Sequence, residues 1–170
     1  MVRSRGGWLM MDITIKGGSK TQRELIAEIA DFVGPLVLGS RMARAVSIDY
    51  IIKRKLDADG WCEWMDDNLR PREFKIEVRA EQTYLDLILT ICHEMVHVRQ
   101  MAKRELYEIF SPKQMQVWKG KRLKKAIPYS KQPWEAEAYK LQSVLAKKFV
   151  EETGFVYTAA MQKRDEKYAG

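Results

Sequence analysis

Tyr84-Leu85-Asp86-Leu87-Ile88-Leu89-Thr90-Ile91-Cys92-His93-Glu94-Met95-Val96-His97-Val98-Arg99-Gln100-Met101-Ala102 contains both histidines of the 170-residue chain. Residues 83–103 hold neither glycine nor proline. Tyr84, Ile88, Ile91, Met95 and Val98 recur at helical spacing, which predicts a helix with an apolar side opposite His93 and His97. Leu85, Leu89, Cys92 and Val96 widen that apolar surface, so the helix is expected to be largely buried. Positions i and i+4 share a helix face, so the imidazoles of His93 and His97 can grip one ion. Glu94, one residue further on, can reach a water on that ion without ligating. Two imidazoles on one side of a core helix need partners there, and a metal supplies them. The competing reading is an accidental H-E-x-x-H match on a surface helix.

A catalytic zinc takes three protein ligands. The chain has no third histidine, which excludes H-E-x-x-H-x-x-G-x-x-H and leaves a downstream carboxylate as the third ligand. Pro133-Trp134-Glu135-Ala136-Glu137-Ala138-Tyr139 opens a second helix that runs to about Glu152, ahead of Gly154. Its core stripe is Trp134, Ala138, Leu141, Leu145 and Phe149. Glu135 and Glu137 flank that stripe at about 80° on either side, so periodicity leaves both open.

The rest of the chain predicts one α+β domain over residues 1–170, with 1–10 a candidate disordered extension. Met10 and Met11 are alternative starts. Trp8-Leu9-Met10-Met11 is too brief for a signal-peptide core or a membrane span. Met11–Ile15 alternates as a short strand. Thr21-Gln22-Arg23-Glu24 reads as a capping box for a helix that Gly34-Pro35 should stop. Val46–Ile52, Trp61–Met65 after the Asp57–Gly60 turn, and Phe74–Val78 complete a small antiparallel sheet packed on the motif helix. Residues 104–132, with Ser111-Pro112 and a turn at Pro128-Tyr129-Ser130, look irregular or hairpin-like.

Cys62 and Cys92 are too few for a disulfide framework or a cysteine zinc site and suit free thiols in a reducing cytoplasm. The net charge of +7 peaks at Trp118-Lys119-Gly120-Lys121-Arg122-Leu123-Lys124-Lys125. That stretch fits nucleic-acid contact or a solvated hairpin.

His93-Glu94-Met95-Val96-His97 followed by Glu135-Ala136-Glu137-Ala138 resembles the gluzincins, in which a Glu-x-x-Ala helix completes the site. With Trp118-Lys119-Gly120-Lys121 between them, residues 84–140 also resemble the SprT-like metallopeptidases of tailed bacteriophages. The chain departs from true SprT proteins in lacking a third histidine and zinc-ribbon cysteines. The resemblance implies a zincin-like fold, Zn²⁺ on His93, His97 and Glu135, and Glu94 as general base. It further implies hydrolysis of a protein or peptide substrate in a bacterial host cytoplasm. The strand Phe74–Arg79 would bind the substrate by edge pairing, as its counterpart does in gluzincins. With no histidine left to assist the oxyanion, Tyr139 or Tyr129 is the candidate donor. The alternative function is a zincin-fold regulatory or nucleic-acid-associated binding protein with narrow or no proteolysis.

Overall fold

The computed structural model describes residues 2–3, 11–109, 115–124 and 127–168. The candidate extension, apart from residues 2–3, and Ser111-Pro112 lie outside the described residues.

The main sheet comprises β1 (Val2–Arg3), β2 (Asp12–Gly17), β3 (Ser47–Lys53), β4 (Gly60–Trp64) and β5 (Glu73–Arg79), with β-branched and aromatic residues at every second position of β2, β3 and β5. Among the described residues the strand order is β1-β2-β3-β5-β4. Ile13 and Ile15, then Ile48, Tyr50 and Ile52, then Phe74, Ile76 and Val78 bury one face of the three central strands. The other face carries a charged ladder, in which Lys53 pairs with Glu77 at 2.7 Å and Lys75 pairs with Glu63.

The expected small antiparallel sheet is corrected to a mixed one. β2, β3 and β5 are mutually parallel, and only the edge pairs β1–β2 and β4–β5 are antiparallel. The short turn after β3 suggests a hairpin, but β5 inserts between β3 and β4. Burial explains that order. β5 buries a complete apolar row and gains by being flanked, whereas β4 is half-exposed and tolerates the edge. α1 (Lys20–Leu38) makes the crossover from β2 to β3.

Two expectations about α1 are also corrected. The capping box is Ser19 with Gln22, the Ser19 hydroxyl accepting from the Gln22 N–H at 3.1 Å and the Gln22 carbonyl accepting from the Ser19 N–H at 3.0 Å. Gln22 is the residue placed to serve because its amide also donates to Ala80 O, tying the helix start to the end of β5. At its other end the helix runs through Gly34-Pro35 to Leu38. Pro35 forgoes one backbone bond, while Val37 and Leu38 beyond it are buried, each large apolar side chain stabilising by about 1.5–3 kcal/mol. Gly34 lies against Met11, whose Sδ would be 2.2 Å from any Cβ there.

After the one-turn α2 (Ser40–Ala43), the motif segment forms α3 (Tyr84–Ala102), starting at Thr83, whose hydroxyl accepts from the Asp86 N–H. α3 lies at the centre of the molecule. Ile88, Ile91, Met95 and Val98 are buried in the core cluster shared with the sheet and α1, and Tyr50 Oη donates to Met95 Sδ at 3.1 Å. A three-stranded antiparallel sheet follows, β6 (Leu106–Ile109), β7 (Met115–Trp118) and β8 (Lys121–Lys124), so the hairpin reading of 104–132 describes this region in part. A 3₁₀ turn at Tyr129–Lys131 leads into α4 (Pro133–Thr153), which ends at the left-handed Gly154. α5 (Ala159–Asp165) closes the chain and docks through Asp165, which accepts from the Tyr84 N–H at 2.7 Å. The architecture is α+β. No described helix is long and apolar enough to cross a membrane.

Candidate metal centre

α3 and α4 pack side by side, and the site lies between them. Trp134, Ala138, Leu145 and Phe149 are buried as the stripe requires, with Leu141 partly buried. That packing fixes how the start of α4 is turned toward α3. His93, Glu94 and His97 are all buried despite being polar, so each needs a partner.

Glu135 is the carboxylate brought to the histidines. His93 Nε2 is 3.2 Å from Glu135 Oε2, His97 Nε2 is 3.3 Å from Glu135 Oε1, and the two Nε2 atoms are 3.1 Å apart. Glu135 also sits in the first turn of α4, where the helix dipole favours a negative charge. Glu137 faces another way. It accepts from Arg99, from Lys119 Nζ at 2.6 Å and from Gln100 Nε2 at 3.0 Å. The alternative that helical periodicity leaves open is thus decided by what surrounds each carboxylate.

The outer nitrogens of the two histidines meet amides. His93 Nδ1 lies 2.8 Å from Gln142 Oε1, and His97 Nδ1 lies 2.8 Å from Gln100 Oε1. Each carbonyl oxygen can only accept, so each Nδ1 carries a hydrogen, and in the neutral ring each Nε2 is left with a lone pair. A proton on Nε2 makes the imidazole a donor to Glu135. A cation in place of that proton would meet two lone pairs and a carboxylate. The spacing suits one, since ligand bonds of about 2.0–2.1 Å in a tetrahedron place donor atoms about 3.3 Å apart. His93, His97 and Glu135 therefore form a buried group that can hold a metal ion.

The electrostatics follow from burial and neighbours. Burial pushes the Glu94 carboxyl up to about 7, against the opposing pull of His97 and His93. Burial also acts to raise Glu135, but hydrogen bonds with His93, His97 and Tyr129 outweigh it and hold that carboxyl far below the usual range. For Glu137 the burial effect is likewise overcome, by Lys119, Gln100 and Arg99.

Tyr129 Oη donates to Glu135 Oε2 at 2.6 Å, and burial together with that contact raises its phenol well above the ordinary value. Tyr139 stands differently: its ring packs edge-on against His93, centroids 4.7 Å apart, and its hydroxyl lies 3.4 Å from that of Tyr129. Of the two candidate donors, Tyr129 is the one whose hydroxyl bonds to a member of the cluster.

Two cavities meet at His93 and Glu94. One, of about 500 Å³, extends past Trp61, Trp64, Met101 and Tyr107, and the other, of about 370 Å³, past Asp59, Asp86 and Gln142. β4 forms their shared rim. Gly60 lets β4 approach closely, since a Cβ there would meet Glu94 Oε1 at 2.6 Å and Thr90 Cγ2 at 2.7 Å.

The expectation that Phe74–Arg79 offers a free edge is corrected: β5 is paired on both sides, and among the described residues β4 is the edge strand on that side of the sheet. Gln100, Gln142 and Gly60 escape the sequence reading. Gln100 had a signal, since it stands three residues after His97 on the same helix face. No protein-family model, curated protein or solved structure matches this chain.

Proposed function

We propose that this protein is a zinc metallopeptidase that hydrolyses a peptide bond at the His93–His97–Glu135 centre. The observation that carries the reading is the convergence of two imidazole nitrogens and one carboxylate, all buried and 3.1–3.3 Å apart, beside a buried glutamate. The gluzincin resemblance of the same residues supports it. A zinc ion held by these three side chains supplies Lewis acidity, which acidifies water and polarises a carbonyl.

The chain's own groups supply the rest. Glu94, held against β4, accepts the proton of the attacking water and delivers it to the leaving amine. Tyr129, whose hydroxyl lies beside Glu135, would donate to the oxyanion by turning its one hydrogen away from that carboxylate. Tyr139 packs on the His93 ring and restrains it.

Substrate docks on β4. Arg79 N–H bonds to Asp59 O, and Met65 N–H to Glu73 O, so Asp59, Trp61, Glu63 and Met65 turn their backbone groups toward β5. Gly60, Cys62 and Trp64 accordingly turn theirs outward, where an extended peptide can add as a further strand. The larger cavity beside this edge is lined by Trp61, Trp64, Met101 and Tyr107 and suits a bulky apolar side chain.

Elemental analysis of purified protein, together with cleavage of unfolded protein and of a peptide library, tests the proposal. About one zinc per chain and cleavage beside bulky apolar residues are expected. Wild-type protein that is metal-free and cannot be loaded with zinc sinks it.

A further inference from the structure

Glu137, partly buried in the second turn of α4, is held by Arg99, Lys119 and Gln100 at once. We infer that Gln100 and Glu137 are positioning residues of the metal centre. Glu137, clamped by Arg99 and Lys119, orients the Gln100 amide, and that amide holds His97 in the tautomer whose Nε2 is free to bind a metal.

Gln100 is fully buried, and all its polar capacity is directed. Its Nε2 donates to Trp134 O at 3.1 Å and to Glu137 Oε2 at 3.0 Å. A flipped amide would set its oxygen against a carbonyl and a carboxylate, two acceptors with no hydrogen to share. The amide therefore has one orientation, with Oε1 toward His97 Nδ1 at 2.8 Å. In that orientation His97 must carry its hydrogen on Nδ1. Outer partners that fix a ligating imidazole in this way commonly change metal affinity by 10–100-fold when removed.

The anchor is itself held from two directions. Arg99 lies on α3 one residue before Gln100 and binds both Glu137 and Glu105. Lys119 comes from the turn between β7 and β8, with its ammonium also 4.8 Å from the Trp118 ring centroid. This gives Arg99 a specific task. It also joins the basic hairpin to the site through one ion pair. His93 has a simpler arrangement, a single carbonyl from Gln142, and serves as an internal control.

The importance of the tautomer for metal binding rests on the proposed metal centre, but the tautomer itself can be read without metal. With two histidines in the chain, long-range ¹H–¹⁵N spectra of metal-free protein above the imidazole titration resolve every ring nitrogen. Wild type is expected to show Nδ1–H on His97. Gln100→Leu should lose that preference while His93 keeps its own, and zinc affinity should fall about 10–100-fold. Glu137→Leu should act in the same direction and gives the same readout if Gln100→Leu does not fold. Glu137→Gln leaves an acceptor for the amide and should retain the tautomer. Zinc-free wild type with the Nδ1–H signal, lost in Gln100→Leu, upholds the orientation while sinking the metallopeptidase reading. An unchanged His97 tautomer in Gln100→Leu and Glu137→Leu overturns the inference.

Discussion

Adding one methyl group at Gly60 tests how closely β4 is fitted to the proposed general base. The backbone there is ordinary, so Gly60→Ala is not strained by conformation. The new Cβ would lie 2.6 Å from Glu94 Oε1 and 2.7 Å from Thr90 Cγ2, where ordinary contact begins at 3.4 Å. Relieving the first clash needs a shift of 3.4 − 2.6, or about 0.8 Å, at the carboxylate or the strand. Overpacking of this kind costs about 1–3 kcal/mol, and alanine recovers about 0.4–1 kcal/mol by restricting the unfolded chain. A net loss of about 1–2 kcal/mol lowers Tm by about 2–8 °C in a domain of this size. A misplacement near 1 Å costs about 10²-fold in catalysis, so kcat/KM should drop by about that factor. Zinc content should not change, since the ligands belong to α3 and α4. Calorimetry, peptide hydrolysis and elemental analysis of the same preparation check all three. A variant with wild-type Tm and turnover would refute the close approach of β4 to Glu94.

Three further outcomes are expected. Glu135→Ala should lose zinc affinity by orders of magnitude, whereas Glu137→Ala should lose only about 10–100-fold; parallel titrations against a chelator check this, and a larger loss in Glu137→Ala reverses the assignment. Glu94→Gln should bind zinc and melt like wild type yet not hydrolyse peptide, because an amide cannot take the proton; near-normal turnover would remove Glu94 from the mechanism. Burial acts to raise the Asp66 carboxyl, but hydrogen bonds from Arg72, Asn68 and Glu73 outweigh it, so its folded value lies below its unfolded one. Its stabilisation is then present above the unfolded value and lost as pH falls through the folded one. The Tm difference between wild type and Asp66→Ala should therefore shrink on acidification, and a constant gap would contradict the assignment.

The local periodicities of this chain were informative because each depends on neighbours in sequence. The 3.6-residue spacing of Ile88, Ile91, Met95 and Val98 and the alternation of Phe74, Ile76 and Val78 both recur as α3 and β5. So does the long helix between Pro133 and Gly154. Pairing of His93 with His97 is likewise local, set by one helical turn. The order of the strands was not legible, because a short turn after β3 suits a hairpin and only competition for burial inserts β5 between β3 and β4. Gly34-Pro35 misled for a similar reason: its helix-breaking tendency is local, and the burial of Val37 and Leu38 that overrides it is not. The carboxylate that joins the two histidines is the clearest case. Glu135 and Glu137 are equivalent on a helical wheel, and only the docking of α4 on α3 sends one to the histidines and the other to Arg99, Gln100 and Lys119. A sequence specifies directly what one turn of helix or two residues of strand can bring together; which turns and strands then meet depends on the burial of the whole chain.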